Sequence, residues 1–117
     1  MRILVVDDHV QLLTEIEQYL VDLGHQVRPA ENAEEALQIV QANREYDVVV
    51  TDISMPGMNG IEMWDKMTPL LPAAKVIFIS STNNSFLQRY LPGPLLPKPF
   101  KLDELHDCIA RVRTAAA

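Results

Sequence analysis

The sequence is poor in cysteine and glycine and contains no long hydrophobic run. Its single cysteine, Cys108, excludes an internal disulfide and is typical of proteins in a reducing compartment. With four glycines the chain has no G-x-G-x-x-G segment, which excludes the glycine-rich dinucleotide fingerprint. No uninterrupted apolar run exceeds four residues, so no segment is long enough to cross a membrane. Because Asp7 and Asp8 come too early for a signal peptide, we expect a cytoplasmic protein.

Positive charge is also scarce, since 10 Lys and Arg stand against 16 Asp and Glu and the formal net charge is −6. This excess of negative charge argues against binding to the phosphate backbone of nucleic acids. What is present is an ordinary hydrophobic content, 48% of 117 residues, which suffices for one folded domain without a disulfide or metal. We assign residues 1–114 to this domain and the three alanines at 115–117 to a short tail.

Short β-branched runs alternate with segments of helical spacing along the chain. The runs that predict strands cover residues 3–6, 25–29, 48–51, 76–79 and 95–96. Apolar strands that alternate with helices predict an α/β fold, in which a parallel sheet is covered on both faces. Proline cannot donate to a sheet, so Pro97 places the fifth strand at an edge. The fourth of the five expected helices is shortened, because residues 83–90 allow two turns before Pro-Gly-Pro at 92–94.

Apolar residues spaced three and four positions apart give the other four helices a buried stripe each. The stripe residues are Leu13, Ile16, Leu20 and Leu23, then Ala33, Ala36, Leu37 and Val40, then Ile61, Trp64 and Met67, and last Leu102, Leu105, Ile109 and Val112. Gly24 indicates the end of the first helix. Asn32 followed by Glu35 predicts a capping box at the start of the second.

Polar residues stand where the predicted strands end. They are Asp7 and Asp8 after the first strand, Asp52 after the third, Ser80 and Ser81 after the fourth, and Lys98 after the fifth. In doubly wound sheets, ligands bind beyond the carboxyl ends of the strands. We therefore expect three carboxylates, a hydroxyl and an ammonium to meet in one cleft.

Such a cluster constrains the chemistry of the site. Two carboxylates about 4 Å apart repel by about 4 kcal/mol at an effective dielectric near 20, so three of them require a cation or a shared proton. Oxygen ligands alone favour Mg²⁺ or Mn²⁺. A carboxylate beside such an ion, with Lys98 opposite, can attack phosphorus and form an aspartyl phosphate.

Four motifs in this order resemble the receiver domain of two-component response regulators of the chemotaxis type. They are VVDD at residues 5–8, TDISMPGMNG at 51–60, VIFISS at 76–81 and KPF at 98–100. The resemblance covers essentially the whole chain. It implies a (βα)₅ fold with sheet order 2-1-3-4-5 and a cis peptide between Lys98 and Pro99.

The resemblance also implies a mechanism, in which a histidine kinase or phosphotransfer protein donates a phosphoryl group and Mg²⁺ is required. The residues it implies for phosphoryl transfer are Asp52 as acceptor with Ser80 and Lys98, and the implied Mg²⁺ ligands are Asp7, Asp8, Asp52 and the carbonyl of Ser54. Phosphorylation would then alter binding to a downstream protein partner. The chain would be a signalling phosphoacceptor and not a turnover enzyme, with no direct contact to nucleic acid or membrane.

Two departures from the family pattern keep alternatives open. Leu95 stands where receivers carry a switch aromatic, and the segment from Ser80 to Lys98 is several residues short. A second hypothesis is therefore a receiver-like docking or homodimerising module that does not switch. A Mg²⁺-dependent phosphatase of the haloacid-dehalogenase type is disfavoured, because Asp7 and Asp8 are adjacent and the D-x-D pattern is absent. An FMN-binding flavodoxin is weaker still, since the first loop lacks a phosphate cradle.

The remaining side chains of interest are assigned no chemistry. We expect His9 to be exposed at the mouth of the site. His25 and His106 are expected in a loop and on a helix surface, and the sequence indicates no partner for either. Cys108 is expected to be a packed thiol.

Overall fold

The computed structural model describes residues 1–81 and 88–114, and these form five strands and four α-helices. The strands are β1 (Arg2–Val6), β2 (Gln26–Ala30), β3 (Val48–Asp52), β4 (Lys75–Ser80) and β5 (Leu95–Pro97). The helices are α1 (Val10–Asp22), α2 (Ala33–Ala42), α3 (Gly60–Met67) and α4 (Leu102–Thr114), and a 3₁₀ turn covers Thr68–Leu70. Every predicted strand is present, with bounds within one residue of the prediction at either end.

The five strands form one sheet in the order β2-β1-β3-β4-β5, and all neighbouring pairs are parallel. This confirms the predicted fold class and strand order. β5 is an edge strand, as Pro97 predicts, and Pro97 pairs with Ser80 at the end of β4. Since all strands run the same way, their carboxyl ends lie along one edge of the sheet.

Alternate residues of each strand face opposite sides, so the sheet separates two hydrophobic layers. Leu4, Val49 and Phe78 lie in one layer with α2 and α3. Ile3 and Val50 lie in the other layer with α1 and α4. Strands buried on both faces explain why the sequence shows continuous apolar runs instead of alternation.

Most predicted stripe residues are buried or half-buried, but Leu23 is 47% exposed and its assignment to the core is wrong. The chain turns at this point, because Leu23 is the residue that caps α1 and Gly24 follows with φ +95°. The N–H of Gly24 donates to the carbonyl of Val21, and the N–H of His25 donates to that of Leu20. These two bonds form a Schellman motif, which closes the helix and turns Leu23 outward.

Side-chain caps begin α2 and α3. Asn32 accepts a hydrogen bond from the N–H of Glu35 at 2.8 Å, as predicted, although the structure gives only this half of the capping box. The complete capping box belongs to α3, where Asn59 and Glu62 each accept from the other's backbone N–H. This capping box was not predicted from the sequence.

The predicted shortened helix over residues 83–90 lies largely outside the described residues, which resume at residue 88. The loop that follows is tied to the sheet, since the N–H of Phe78 donates to the carbonyl of Pro94 at 2.9 Å. Among the described residues, no helix is long and apolar enough to cross a membrane.

Candidate functional site

Each predicted site residue stands at or just beyond the carboxyl end of a strand. Asp7 follows β1, Asp52 and Ser80 end β3 and β4, and Lys98 follows β5. Because β1, β3, β4 and β5 are consecutive neighbours in the sheet, these ends adjoin one another. The parallel register therefore brings together residues that lie far apart in the sequence.

Among the residues that the structure describes, Lys98 is the only cation that forms ion pairs with the carboxylates of this cleft. It contacts two of them. Its Nζ lies 2.9 Å from Oδ2 of Asp52 and 3.4 Å from Oδ2 of Asp7. The Lys98 side chain is 21% exposed, whereas those of Asp52 and Asp7 are 8% and 1% exposed. The backbone N–H of Lys98 donates to the carbonyl of Ser80 at 2.8 Å, and the peptide to Pro99 is cis, as the resemblance implies.

Asp7 is buried with incomplete compensation. Its Oδ1 accepts a hydrogen bond from the N–H of His9 at 2.8 Å. Its Oδ2 has no hydrogen-bond partner among the described residues, and its contact with Lys98 is an ion pair at 3.4 Å. Burial raises the pKa of Asp7 above its usual value, and the nearby charge of Asp52 adds to this, although His9 and Lys98 oppose it.

The opposite balance holds at Lys98. Burial, the largest single effect, acts to lower the pKa of its ammonium, but the hydrogen bond to Asp52 and the charges of Asp52 and Asp7 outweigh it. The net result is a raised pKa, so Lys98 remains charged throughout the physiological range. The ammonium is a fixed positive charge at the floor of the cleft.

Carboxylate oxygens of Asp7, Asp8 and Asp52 all lie within 4.8 Å of one another. Asp8 is exposed, so one side of this group is open to solvent. An oxygen-only donor set suits Mg²⁺ and similar hard cations, which bind through one or a few carboxylates and keep several waters. The buried Oδ2 of Asp7 is an acceptor that a bound cation or its water would satisfy. The residues therefore fit a divalent cation.

The structure assigns definite places to the two predicted serines. Ser80 is 7% exposed at the end of β4, beside the Lys98 backbone. Ser54 lies just beyond β3, and its N–H donates to Oδ1 of Asp52 at 3.2 Å. This bond holds one oxygen of the Asp52 carboxylate, while Lys98 contacts the other, Oδ2. His9 is exposed next to Asp8, as expected.

Gly60 supports the site, a role that was not predicted from the sequence. A Cβ at Gly60 would clash with the backbone carbonyl of Asp52 and would lie 3.0 Å from Oγ1 of Thr51. The N–H of Gly60 donates to the carbonyl of Ile53 at 2.9 Å. The first turn of α3 therefore packs directly on the backbone that carries Asp52. The sequence signal is a glycine immediately after a helix-capping asparagine.

A surface cavity of about 640 Å³ opens beside Lys98, between the start of α1 and the loop that leads into α4. Leu12, Pro99 and Phe100 give it an apolar lining, and His9, Gln11, Glu15, Ser81 and Lys98 contribute polar groups. It is wide enough for a side chain of another molecule to reach the cleft.

The fold is a doubly wound α/β domain. Its site is an acidic pocket at the carboxyl edge of the sheet, with oxygen ligands that suit a divalent cation. The model of the response regulator receiver domain family matches residues 3–110 of the chain. The chain therefore belongs to the receiver domain family of two-component response regulators.

Individual relatives give the same result. The transcriptional regulator NtrC of Azospirillum brasilense is 34% identical over 113 residues, which cover 93% of this chain and 23% of NtrC. The receiver domain of the hybrid histidine kinase CckA has a TM-score of 0.86 at 29% identity, covering 97% of this chain and 99% of that chain. The response regulator TrrA of Thermotoga maritima, solved in complex with Mg²⁺–BeF, has a TM-score of 0.83 at 32% identity, covering 95% and 97%. The chain thus spans about a quarter of the length of NtrC.

Proposed function

We propose that Asp52 accepts a phosphoryl group from a histidine kinase or phosphotransfer protein, and that Mg²⁺ is required. The observation that carries this proposal is the pairing of Asp52 with Lys98 beside two further carboxylates, of which Asp7 keeps one buried oxygen without a hydrogen bond. A nucleophilic carboxylate, a fixed ammonium and an incomplete set of oxygen ligands are the components that phosphoryl transfer needs.

In the transfer step, a carboxylate oxygen of Asp52 attacks phosphorus while the P–N bond of a donor phosphohistidine breaks. The electron pair of that bond returns to the imidazole nitrogen, and the products are an aspartyl phosphate and a free histidine. The ammonium of Lys98, already 2.9 Å from Asp52, pairs with the oxygens that arrive on phosphorus. The hydroxyl of Ser80, at the end of the neighbouring strand, hydrogen-bonds another phosphoryl oxygen.

Asp7, Asp8 and Asp52, with the backbone carbonyl of Ser54, would hold the Mg²⁺. The ion, when bound, neutralises charge on the phosphoryl oxygens as the bond to Asp52 forms. Meanwhile the N–H of Ser54 keeps Oδ1 of Asp52 oriented. Burial of Asp52 and Asp7 limits access of water from below the cleft.

The cavity beside Lys98 supports docking of the donor at this face. Leu12 and Phe100 give it an apolar lining, and Lys98, whose ammonium contacts Asp52, also lines it. A donor side chain that enters here would meet Lys98, the residue that contacts Asp52. We further propose that the domain works in the cytoplasm and that phosphorylation alters its binding to a protein partner.

Leu95 supports a second candidate, a receiver that docks partners without switching. It is half-buried beside Phe78 on β4 and packs against the hydrophobic layer of α2 and α3. A packed aliphatic side chain cannot reproduce an aromatic ring that moves between inward and outward positions. In this candidate the phosphorylation chemistry can persist while its consequence at the surface is lost.

The test of the first proposal is intact mass after incubation with acetyl phosphate, with Mg²⁺ or with excess chelator. Wild type should gain one phosphoryl group only with Mg²⁺, and Asp52→Asn should gain none. Asp65→Asn, at an exposed position, is the matched control and should behave like wild type. Phosphorylation of Asp52→Asn to the wild-type extent would refute the assignment of the acceptor.

The two candidates differ in what beryllofluoride, a phosphoryl mimic, does to backbone NMR signals. A switching receiver should also show shifts on the exposed face of α4, away from the acidic cluster. A docking module that does not switch should show shifts confined to residues around Asp52, Ser80 and Lys98.

A further inference from the structure

Two histidines meet at the opposite end of the sheet from the acidic cleft. Nε2 of His25 lies 3.3 Å from Nε2 of His106, and the ring centroids are 5.4 Å apart at an interplanar angle of 48°. The residues are 81 positions apart in the sequence, and both are half-buried. His25 precedes β2, so the five residues of that strand, roughly 16 Å, separate it from the carboxyl edge.

The spacing of the two nitrogens matches a chelating pair. Zinc binds imidazole nitrogen at about 2.0–2.1 Å, so two such bonds at a tetrahedral angle put the nitrogens roughly 3.3–3.4 Å apart. In the metal-free protein the same spacing allows one ring to donate an Nε2 hydrogen to the other. A metal ion would take the lone pairs of both Nε2 atoms and leave the ring protons on Nδ1. At His25 this reverses the contact with the Met1 amino group 3.4 Å away, because Nδ1–H would then donate to the neutral amine.

Both ligands are held by rigid backbone. His25 is fixed by its N–H bond to Leu20 in the Schellman motif and by the start of β2. His106 lies within α4, between the buried residues Leu105 and Cys108, and the ring of Tyr19 packs edge-on against it with centroids 6.5 Å apart. Ligands that are already in place lose little conformational entropy when they bind.

We propose that His25 and His106 form a two-nitrogen site for a late first-row transition metal, with Zn²⁺ as the reference ion. Neutral imidazole is a preferred ligand for zinc, copper and nickel, and water would complete the coordination. Such an ion would link α4 to the turn between α1 and β2. This site is separate from the oxygen ligands of the acidic cleft and does not depend on phosphorylation of Asp52.

Positive charge around the pair limits its affinity. The amino group of Met1 lies 3.4 Å from Nδ1 of His25, and Arg113 is close enough to affect that ring electrostatically. The amino group lies on the Nδ1 side of the His25 ring, away from Nε2. The ion therefore binds more weakly than at a closed site with four protein ligands. In an experiment, the zinc concentration must exceed the dissociation constant of the site.

The decisive experiment is an NMR titration of the full chain with ZnCl₂ in excess Mg²⁺. It measures the chemical shifts of the histidine side-chain nitrogens. The excess Mg²⁺ competes for the acidic cleft. We expect saturable shifts of Nε2 of His25 and His106 and none at His9. Zinc that moves neither Nε2 signal, or that moves only the His9 signals, would overturn the proposal and leave a hydrogen-bonded pair.

Calorimetry on variants gives a second, independent measurement. His106→Gln should weaken zinc binding about tenfold or more, because one ligand of a chelating pair is lost. The matched control is His9→Gln, because His9 is the one histidine of the chain outside the pair. Its zinc affinity should stay within about twofold of wild type. Equal affinity of His106→Gln and wild type would contradict the site, and circular dichroism establishes that each variant is folded.

Discussion

Nζ of Lys98 lies 2.9 Å from Oδ2 of Asp52, although the two residues are 46 positions apart in the sequence. The same ammonium lies 3.4 Å from Asp7, so one positive charge compensates two buried carboxylates. A site with more buried negative charge than it can neutralise is held at a cost to stability.

Asp7→Asn should stabilise the metal-free protein, by about 1 kcal/mol, which is the scale of a partly unsatisfied buried polar group. The pKa of Asp7 is raised in the folded state, so the folded protein holds this proton more tightly than the unfolded chain. The stability contributed by Asp7 is therefore present below its unfolded pKa of 3.8 and is lost as pH rises through the raised value. Urea unfolding in chelator over a pH series should show the variant's advantage growing with pH and then levelling off.

Asp65→Asn is the control for this series, because Asp65 is exposed on α3. Its difference from wild type should be small at every pH. A constant or shrinking advantage of Asp7→Asn with rising pH would mean that the charged form of Asp7 is well compensated in the folded state.

Lys98→Met should destabilise the protein in chelator by about 2–3 kcal/mol, because it leaves buried carboxylates without their ammonium. Mg²⁺ should recover part of this loss, since an ion among Asp7, Asp8 and Asp52 supplies the missing positive charge. Thermal unfolding with and without Mg²⁺ measures both effects.

The double variant Lys98→Met with Asp52→Asn shows how much of the loss comes from the pair. Its destabilisation should be smaller than that of Lys98→Met alone, because the unpaired charge is then removed. Lys101→Met, at an exposed position nearby, should have little effect. Additive effects of the two site substitutions would contradict the 2.9 Å ion pair as an energetic unit.

Gly60→Ala should cost about 2–3 kcal/mol and should slow phosphorylation of Asp52, since the new Cβ pushes against the Asp52 carbonyl. Gly24→Ala is the comparison, because its Cβ would meet no atom within 4 Å and the cost comes from φ +95° alone, about 1–2 kcal/mol. Urea unfolding measures the free energy of unfolding of each variant, and the acetyl phosphate assay measures its rate of phosphorylation. An effect of Gly24→Ala on the phosphorylation rate as large as that of Gly60→Ala would contradict a specific role for Gly60.

From the amino-acid sequence alone we predicted the five strands, the burial of β1, β3 and β4 on both faces, and the edge position of β5. These follow from hydrophobic period and from the missing N–H of proline, which are properties of short segments. The sequence also predicted that Asp7, Asp8, Asp52 and Lys98 meet, because parallel strands bring their carboxyl ends to one edge. Order and spacing along the chain were sufficient for this.

The contacts between individual atoms depend on how the helices pack on the sheet. Leu23 has the spacing of a core residue but points to solvent, because the Schellman motif ends α1 and changes the direction of the chain at this residue. The packing of the helices on the sheet determines that Oδ2 of Asp7 has no hydrogen-bond partner among the described residues. It also determines that Gly60 lies against the backbone of Asp52. The meeting of His25 and His106 depends on the packing of α4 against the turn after α1, and no local pattern encodes a contact between residues 81 positions apart.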